Sequence, residues 1–396
     1  MTLDNSVAVG VVGAGAMGTG IAQVAAAAGH RVVLADARQG ATAKAQAAIA
    51  KAMDREVEKA RMSRNAADEV VSRIDFQWNA IGDDYSAFSK CGLVIEAVVE
   101  DLDVKRSLFR QLESVVTADC ILATNTSSLS VAAIASACES SGRVVGIHFF
   151  NPAPVMPLVE VVPWLGGDSA VGTSAYELMR RWNKMPVLAS DTPGFIVNRV
   201  ARPFYGEALR IHDEGVADVA TIDWAMKELG GFRMGPFELM DFIGNDVNYA
   251  VTRSVFEAMF FDPRYKPSLT QKRLVESNFL GRKSGRGYYD YRPGADAPQA
   301  NKDPVTGRLV FERILAMLIN EAVDAVFWRV ASAEDIDVAM TKGVNYPKGL
   351  LAWANELGIW RVHGWLEGLQ DEYGEDRYRP SPLLKRMARD ERRFFE

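Results

Sequence analysis

Cysteine and histidine are scarce in this sequence, with three cysteines and four histidines among 396 residues. Cys91, Cys120 and Cys138 are odd in number and show no CxxC spacing, so they indicate neither a disulfide framework nor a metal-ligand pattern. We therefore expect reduced thiols and no bound metal.

An excess of positive charge and long apolar runs are also absent. The net charge of −6 leaves no broad cationic face for phosphate groups, which argues against nucleic-acid and membrane-surface roles. No apolar run approaches the length of a membrane span, and the first residues lack the features of a signal peptide. We expect a cytoplasmic protein with no nucleic-acid partner and no membrane association. The 396 residues, 48% of them hydrophobic, are enough for two or three domains with a substantial core.

A glycine-rich segment near the start of the chain has the pattern of a dinucleotide site. An apolar run ends at Val12 and is followed at once by GAGAMG, which contains Gly13, Gly15 and Gly18, and then by an Ala-rich helix predicted over 21–28. The first glycine allows a tight turn, the second lets the backbone approach a pyrophosphate, and the third lets the helix pack on the strand. The phosphates would lie at the helix N terminus.

Asp36 follows the second predicted strand, eighteen residues after Gly18. A carboxylate at this place accepts hydrogen bonds from both hydroxyls of the adenosine ribose, and it would repel a 2′-phosphate. The pattern therefore favours NAD over NADP, although Arg38 leaves some room for NADP. The alternative is that Asp36 caps a helix beginning at Ala41.

His148 and Glu160 stand twelve residues apart, each at or near the end of an apolar run. The runs 143–147 and 158–162 are predicted strands joined by a proline-rich loop. Neighbouring strands would bring the imidazole and the carboxylate together, which holds one tautomer and lets the other ring nitrogen accept a proton. This pattern indicates general-base chemistry. The alternative is a core histidine bonded to a backbone carbonyl.

Polar residues follow the predicted strand 120–124 in the sequence NTSSL. Side chains at the carboxyl end of a parallel strand lie in the crevice where doubly wound sheets bind ligands. Ser127 and Ser128 are therefore candidate ligand contacts, and the competing role for either is to cap the next helix.

Lys51, Arg55 and Lys59 recur at intervals of four in the predicted helix 41–60, which places three cations on one face. With Asp54 and Glu58 nearby, one interpretation is a solvated, ion-paired surface. The other is a binding surface for an anionic ligand such as the phosphates of coenzyme A.

The chain changes character at Asp191, after which long amphipathic helices dominate. We predict an α/β fold: a Rossmann-type doubly wound sheet over 1–190, followed by two tandem copies of an all-α helical domain over 191–291 and 308–396, with 292–307 as linker. Asn198 opens the first helix of the first copy, which we expect to complete the catalytic cleft. Asn198 could face that cleft, cap the helix or form a hydrogen bond at the domain interface, and its position alone does not distinguish these roles. The second copy lacks a counterpart of the segment 193–199, so its role is predicted to be structural.

Internal repetition supports the duplication. Short sequences recur about 114 residues later: Glu207-Ala208 as Glu321-Ala322, Ile222-Asp223 as Ile336-Asp337, Ala225-Met226 as Ala339-Met340, Gly235 as Gly349, and the RYKPS at 264–268 as RYRPS at 377–381. A repeat of this kind is typical of a tandem duplication. The four tryptophans of the second copy are expected to be packing residues: Trp328, Trp353, Trp360 and Trp365.

Seven motifs, taken in order, resemble those of the NAD-dependent L-3-hydroxyacyl-CoA dehydrogenases, and the resemblance covers nearly the whole chain. The motifs are GAGAMGTGIA, IEAVVEDLDVK, ATNTSSLS, HFFNPAPVMPLVEVV, DTPGFIVNR, MGPFELMD and GRKSGRGYYDY. The resemblance implies an enzyme that oxidises (S)-3-hydroxyacyl-CoA to 3-ketoacyl-CoA and transfers hydride to NAD.

The resemblance also implies roles for single residues. His148 would be the catalytic base, Glu160 its orienting partner, and Ser127 and Asn198 the hydrogen-bonding partners of the reacting oxygen. The positions that contact NAD in the family are Gly13, Gly15, Gly18, Asp36, Glu100, Lys105, Asn151 and Lys283. Arg55 and Lys59 fall near the family's CoA-binding helix, with looser matching.

The sequence around 199–205 and 232–252 is similar to enzymes acting on 3-hydroxybutyryl-CoA or 3-hydroxyadipyl-CoA. Arg233 and Arg253 are candidates to pair with a second carboxylate of the acyl chain, although surface positions suit both. A related dehydrogenase of free hydroxy acids is the rival interpretation, and a catalytically silent protein a weaker one. Single-copy relatives dimerise through the helical domain, so the chain is expected to be a monomer with pseudo-dimeric helical domains or a homodimer.

Overall fold

The structure is a computed structural model that describes residues 3–77 and 84–396. The chain divides into two compact units, Met1–Phe195 and Ile196–Glu396. Each unit has its own architecture: the first is built on a sheet and the second is helical.

The first unit contains an eight-stranded sheet. Its strands are β1 (Ala8–Val12), β2 (Val32–Ala35), β3 (Ile74–Gln77), β4 (Cys91–Glu96), β5 (Ile121–Thr124), β6 (Val144–Phe149), β7 (Leu158–Val162) and β8 (Met185–Leu188). Their spatial order is β3-β2-β1-β4-β5-β6-β7-β8. Only the β6–β7 pair is antiparallel among these strands. Because β1, β4, β5 and β6 run parallel, their carboxyl ends lie at one edge of the sheet, where such folds bind ligands.

Helices cover this sheet and bury most of its apolar residues. They are α1 (Ala16–Ala27), α2 (Ala41–Glu58), α3 (Arg64–Ser72), α4 (Leu102–Val115), α5 (Val131–Ala135) and α6 (Ser169–Arg181). Strands such as β6, VVGIHF, are buried along their whole length, as expected of a strand covered on both faces. The predicted Rossmann-type fold is confirmed.

Helix α1 begins at Ala16, earlier than the apolar pattern predicts. Gly18 and Gly20 are buried in its first turns. A Cβ atom on Gly18 would lie 1.7 Å from the carbonyl oxygen of Gly13, and one on Gly20 would lie 3.0 Å from Pro154. The buried face of this first turn therefore consists of glycine, which adds no apolar side chain to the periodic pattern.

The second unit is a helical bundle. Its helices are α7 (Val197–Val200), α8 (Arg202–Asp213), α9 (Val219–Glu228), α10 (Pro236–Ile243), α11 (Asn245–Ala258), α12 (Leu269–Glu276), α13 (Pro304–Phe327), α14 (Ala333–Gly343), α15 (Leu350–Leu357), α16 (Ile359–Tyr373) and α17 (Pro382–Arg389). Helix α13 is central and contacts α7, α8, α9, α14, α15, α16 and α17.

The helices of this unit occur twice in the same order. Helices α9 to α12 correspond to α14 to α17, and α8 corresponds to the C-terminal half of α13. Helix α13 is continuous where the first copy is divided into α7 and α8. Pro203 lies in the first turn of α8, where its missing N–H is tolerated, whereas Met317 stands 114 residues later and is buried inside α13. One proline thus accounts for the difference in helix number.

Two parts of the second copy differ from expectation. Helix α13 begins at Pro304, inside the segment 292–307, because Asp303 accepts a hydrogen bond from the Thr306 N–H and proline suits a first helical position. Trp353 is packed, but Trp328 and Trp360 are 64% and 66% exposed. The expectation that all four tryptophans are packing residues is wrong for these two, which lie at a helix end and on an outer helix face.

None of the helices among the described residues has an apolar stretch of the length that crossing a bilayer requires.

Candidate active site

The turn between β1 and α1 requires glycine for steric reasons that differ at each position. Gly13 has φ +105°, and a Cβ atom there would lie 2.5 Å from the carbonyl oxygen of Ala97. Gly18 packs against the Gly13 carbonyl. A Cβ on Gly15 would meet no atom closer than 3.9 Å, the nearest being on Arg38. The first and third glycines therefore form the turn, and the second leaves the backbone open to a ligand.

Asp36, at the end of β2, is held by hydrogen bonds to both carboxylate oxygens. Its donors are the Ala14 N–H at 2.7 Å and the Arg38 backbone and guanidinium at 2.8 to 3.0 Å. Burial raises the pKa of Asp36, but the hydrogen bonds from Arg38 and Ala14 outweigh it and hold the pKa below its ordinary value. The carboxylate is therefore charged. Helix α2 begins after Gly40, so the alternative that Asp36 caps it is wrong.

Two depressions of the first unit meet at Gly15. One, of about 710 Å³, is lined by Asp36 and by apolar side chains that include Val99 and Leu108. The other, of about 580 Å³, is lined by the start of α1 and by Asn151. An apolar pocket beside a carboxylate suits a nucleoside, and a helix N terminus without an acidic first turn suits a diphosphate. The residues present thus fit a dinucleotide such as NAD.

Glu100 organises the loop after β5. Its Oε1 accepts hydrogen bonds from the hydroxyls of Thr126 (2.6 Å) and Ser128 (2.9 Å) and from the backbone N–H groups of Ser127 (3.0 Å) and Ser128 (3.2 Å). Burial raises the pKa of Glu100, but the charge of Lys105 and these hydrogen bonds hold it below its ordinary value. An ionised Glu100 therefore fixes the position of Ser127.

Lys105 lies behind Glu100 and is only 1% exposed. Its Nζ is 2.5 Å from Oε1 of Glu96 and 3.2 Å from Oε2 of Glu100. Glu96 is fully buried and accepts two further hydrogen bonds, from the Val98 N–H and the Thr124 hydroxyl. The ammonium of Lys105 is thus enclosed by carboxylates and connects the end of β4 to the loop that carries Ser127.

The cap of α5 lies further along the chain than Ser127 and Ser128. Ser130 is the capping residue and accepts from the Ala133 N–H. Asp191 accepts from the N–H groups of the first two residues of α5 and from the Ser130 hydroxyl. The alternative that Ser127 or Ser128 caps this helix is therefore wrong.

His148 and Glu160 face each other directly across the antiparallel β6–β7 pair. The imidazole Nδ1 lies 2.6 Å from Oε2 of Glu160, and the two residues are 6% and 0% exposed. The rings of Phe150 and Phe195 lie 4.6 and 5.9 Å from the imidazole, measured between centroids. When Nδ1 carries the hydrogen and donates to Glu160, Nε2 carries the lone pair that can accept a proton.

The loop between β6 and β7 is fastened by a buried lysine. Lys184, 9% exposed, donates from Nζ to the carbonyl oxygens of Ala153 (2.5 Å) and Met156 (2.9 Å). Burial lowers the pKa of Lys184 to about 8. The loop that begins just after His148 and includes the exposed Asn151 is therefore tied to the start of β8.

The cationic face of α2 is not neutralised by its neighbours. Within the described residues, Lys51, Arg55 and Lys59 form no ion pair, while Asp54 pairs with Arg64 at 2.6 Å. Arg55 and Lys59 line a depression of about 770 Å³ between α1, α2 and the loop after β6. Glu56 lines the same depression and lies 3.6 Å from Arg61, so the depression carries charges of both signs.

Two of the expected site residues belong to the second unit. Asn198 lies in the short helix α7 and is partly exposed. Lys283 is at the surface, where its Nζ lies 2.6 Å from a carboxylate oxygen of Asp246. The remaining expected residues belong to the first unit, and those described above lie along the carboxyl edge of its sheet and on α2.

Sequence reasoning missed three polar residues that shape the site: Glu96, Lys184 and Asp191. Glu96 interrupts the apolar run LVIEAVV, and Lys184 stands alone between a helix and a strand. A charge inside an otherwise apolar run is a signal for a buried ion pair or hydrogen bond. Its partners depend on the tertiary fold, which the run itself does not reveal.

Comparison with known proteins accounts for this arrangement. The profile described as 3-hydroxyacyl-CoA dehydrogenase, NAD binding domain, matches residues 8–192, and the profile of the C-terminal domain of the same enzymes matches both 194–291 and 309–393. Together they cover most of the chain.

Individual relatives agree with the profiles. The 3-hydroxyadipyl-CoA dehydrogenase of Escherichia coli (strain K12) is 38% identical over 96% of this chain and 97% of its own length. The human mitochondrial hydroxyacyl-coenzyme A dehydrogenase is 41% identical over 71% of this chain and 90% of its own. A crystal structure of 3-hydroxybutyryl-CoA dehydrogenase from Escherichia coli K12 superposes with a TM-score of 0.92 at 38% identity, covering 98% of this chain and 99% of that one. The chain therefore belongs to the 3-hydroxyacyl-CoA dehydrogenase family of NAD-dependent oxidoreductases.

Proposed function

We propose that His148 and Glu160 form the acid–base pair for oxidation of the 3-hydroxyl of an (S)-3-hydroxyacyl-CoA, with 3-hydroxybutyryl-CoA as the type of substrate. The observation that carries this proposal is the buried contact of 2.6 Å between imidazole Nδ1 and the Glu160 carboxylate. An alkoxide is too basic to form without a base in contact, and an imidazole can act in both directions of a reversible oxidation near neutral pH.

The residues of the chain then have the following roles. His148 removes the hydroxyl proton at Nε2, and Glu160 stabilises the imidazolium that forms. NAD, when bound, supplies the acceptor for the C3 hydride. Ser127 and Asn198, assigned by family resemblance, hydrogen-bond the reacting oxygen and stabilise the charge that develops there.

The cofactor would be held by residues at the edge of the sheet. Gly13, Gly15 and Gly18 shape the diphosphate turn, and Asp36 accepts from the ribose hydroxyls. Glu100, Asn151 and Lys283 are assigned to the cofactor by family resemblance, and Asn151 lines the depression at the start of α1. In this proposal Lys105 acts by holding Glu100 in its charged, oriented form, since its ammonium is enclosed by two carboxylates.

Arg55 and Lys59 are proposed to bind the phosphates of coenzyme A. The support for this role is their exposure beside a depression of about 770 Å³ and the absence of ion pairs at either residue within the described chain. Exposed cations that form no ion pair can bind phosphate without first breaking an existing pair.

A dicarboxylic acyl chain is the second candidate substrate. It is favoured by the relative named 3-hydroxyadipyl-CoA dehydrogenase, which matches the chain over nearly its whole length. The crystal structure that superposes over an equal share is named for 3-hydroxybutyryl-CoA, so both acyl types are proposed.

The proposed activity is tested by following NADH formation with purified protein, NAD and a panel of 3-hydroxyacyl-CoA thioesters. The panel contains butyryl, hexanoyl, longer and adipyl chains, each beside its free acid. We expect turnover on the thioesters alone. Turnover on free acids alone, or on none of the compounds, would contradict the proposal, and turnover on free acids alone would support the rival hydroxy-acid dehydrogenase.

The chain is further proposed to be a monomer whose two helical copies pair with each other. Glu321 in the second copy accepts from Arg199 at 2.6 Å and Tyr265 at 2.5 Å, and Glu207 in the first copy accepts from Arg313 and Tyr378, both at 2.6 Å. The two sets are related by the repeat offset, as in the interface of a symmetric dimer. Light scattering should give the mass of one chain, and a homodimer would overturn the proposal.

A cytoplasmic location is part of the same proposal. It agrees with the three cysteines, which are buried and unpaired. Cell fractionation with an antibody to the protein tests it, and recovery in a secreted or membrane fraction would contradict it.

A further inference from the structure

The second unit contains a buried arginine that no carboxylate of the described residues neutralises. Arg202, at the start of α8, is 7% exposed. Its Nη1 donates to the hydroxyl of Thr252 at 3.2 Å, and its Nε has no hydrogen-bond partner among the described residues. A buried cation of this kind costs several kcal/mol unless a counter-charge approaches it.

The other buried arginines of this unit are all paired with carboxylates. Within the described residues they are Arg199 with Glu321, Arg264 with Glu321 and Asp324, Arg313 with Glu207 and Glu214, and Arg377 with Glu214 and Glu375. Arg202 forms no ion pair with any described residue. Arg202 is therefore an exception, because the same bundle pairs its four other buried arginines with its own carboxylates.

Aromatic side chains surround the guanidinium in place of acids. It lies 4.9 Å from the ring centroid of Tyr205. Burial lowers the pKa of Arg202, while Tyr205 and Tyr346 act in the opposite direction. The hydroxyl of Tyr346, a residue 5% exposed, is also without a hydrogen-bond partner within the described chain. The surroundings of Arg202 therefore contain two donors without a partner among the described residues, the guanidinium Nε–H and the Tyr346 hydroxyl, and both suit a carboxylate.

The position of Arg202 along the chain connects it to the substrate. It follows Asn198 by four residues, and the backbone of Ala201 between them is also helical. The two residues belong to successive helices, α7 and α8, and four residues of helical backbone advance the chain by about 6 Å. In a six-carbon dicarboxylic acyl chain, the second carboxyl carbon is three bonds of about 1.5 Å from C3, whose oxygen is assigned to Asn198.

We propose that Arg202 determines substrate specificity by binding the distal carboxylate of a dicarboxylic 3-hydroxyacyl-CoA, with the Tyr346 hydroxyl as a second donor. This inference rests on the proposed oxidation of 3-hydroxyacyl-CoA and adds the chemistry of the acyl end. The arginines that the sequence suggested for this role do not fit as well. Arg233 is exposed, and Arg253 is exposed and lies 3.7 Å from Glu257.

The test compares two substrates of equal carbon number, (S)-3-hydroxyadipyl-CoA and (S)-3-hydroxyhexanoyl-CoA, which differ only in a terminal carboxylate or methyl group. The wild-type enzyme should have the higher kcat/KM for the adipyl thioester. Arg202→Met should lower that value on the order of 100-fold, the effect of losing a buried charge-assisted contact, and should leave the hexanoyl value little changed. Arg202→Lys keeps the charge and should lie between the two.

A stability measurement separates this role from a structural one. Because Arg202→Met removes an uncompensated buried charge, the melting temperature of the ligand-free variant should equal or exceed that of the wild type. Arg253→Met is the matched control at an exposed arginine and should change neither kcat/KM.

Two kinetic outcomes would overturn the inference while leaving the proposed function intact: an equal loss on both substrates in Arg202→Met, or a wild-type enzyme that does not prefer the adipyl thioester. A lower melting temperature in Arg202→Met would likewise overturn it, because it would show that the guanidinium is structural. Failure of the wild-type enzyme to oxidise any of the thioesters would remove the proposed function and this inference together.

Discussion

In the proposed mechanism, His148 uses Nδ1 to bind Glu160 and Nε2 to accept the substrate proton. The contact of 2.6 Å at Nδ1 and the burial of both side chains fix the ring in place. Replacement by glutamine, His148→Gln, keeps a polar side chain but removes the proton acceptor. We expect kcat to fall by about 10²- to 10⁴-fold, the usual contribution of a general base. NADH binding, followed by fluorescence titration, should be nearly unchanged, and retained turnover would contradict the assignment.

Glu160→Gln keeps the size and a hydrogen-bond acceptor of the side chain but loses its charge. The imidazolium that forms during proton removal is then less stable, so we expect a large fall in kcat with substrate binding preserved. Residues that act as a unit show non-additive losses. The double variant His148→Gln/Glu160→Gln should therefore be no slower than His148→Gln alone. If the two losses multiply in steady-state assays, the residues do not act as a pair.

The site was predictable where local sequence carries the chemistry. The glycine pattern predicts the turn at Gly13–Gly18, and the strand pattern together with the spacing suggests that His148 and Glu160 meet. The enclosure of Lys105 by Glu96 and Glu100 was not predictable, because it joins β4, α4 and the loop after β5. The lack of a carboxylate partner for Arg202 among the described residues was equally unpredictable, because it depends on which side chains the tertiary fold places around the guanidinium.

The loop between β6 and β7 is the element whose position depends most on one charged group. Lys184 donates to two of its carbonyl oxygens, and its pKa is lowered from 10.5 to about 8 by burial. Between these two pH values the unfolded chain keeps the proton more often than the folded chain does. Raising the pH through this range therefore stabilises the folded state, and the cost of burying the ammonium is fully present below pH 8.

We expect the free energy of unfolding of the wild type to rise relative to Lys184→Met by about 3 kcal/mol between pH 8 and 10.5. Urea unfolding of both proteins at several pH values measures this, because other titrating groups cancel in the difference. Lys59→Met, at an exposed lysine of the same unit, is the control and should show no such dependence. A difference that stays constant with pH would mean that Lys184 titrates near its ordinary value.

Element boundaries were predictable to within a few residues where apolar periodicity was strong, as at β7, whose predicted range agrees with the structure. The prediction failed where glycine or proline decides the outcome. The start of α1 is buried through glycines, and the division between α7 and α8 depends on Pro203. Periodicity depends on apolar side chains. It therefore does not detect an element whose limits are set by glycine, which has no side chain, or by proline, which has no backbone N–H.

At the scale of the molecule, the repeat of about 114 residues predicted two similar helical segments, and both match the same domain profile. The way in which they pair was not readable from the repeat. It becomes visible in the two carboxylates Glu207 and Glu321, each surrounded by an arginine and a tyrosine of the opposite copy. Each residue of one set corresponds to the residue about 114 positions away in the other set. This is expected for an interface that began between identical subunits.

Removal of the second copy tests this origin. A chain that ends at Gly294 lacks α13 to α17, which exposes the buried face of α8 and leaves Glu207 without Arg313. In two such chains, Arg199 of each could pair with Glu207 of the other, because Arg199 and Arg313 occupy the same place in the repeat. In light scattering we expect the shortened protein to form a dimer and the full chain to have the mass of one chain.

A charge variant of the shortened chain is the matched control. Glu207→Gln in that chain removes the carboxylate from both sides of the new interface, once in each of the two chains. The variant dimer should therefore dissociate at a higher protein concentration than the unmodified shortened dimer does. Circular dichroism would verify that both shortened proteins retain helices. If both shortened proteins were folded monomers, the exposed face of α8 would not bind the same face of a second chain. The pairing of the two helical copies would then have arisen after the duplication.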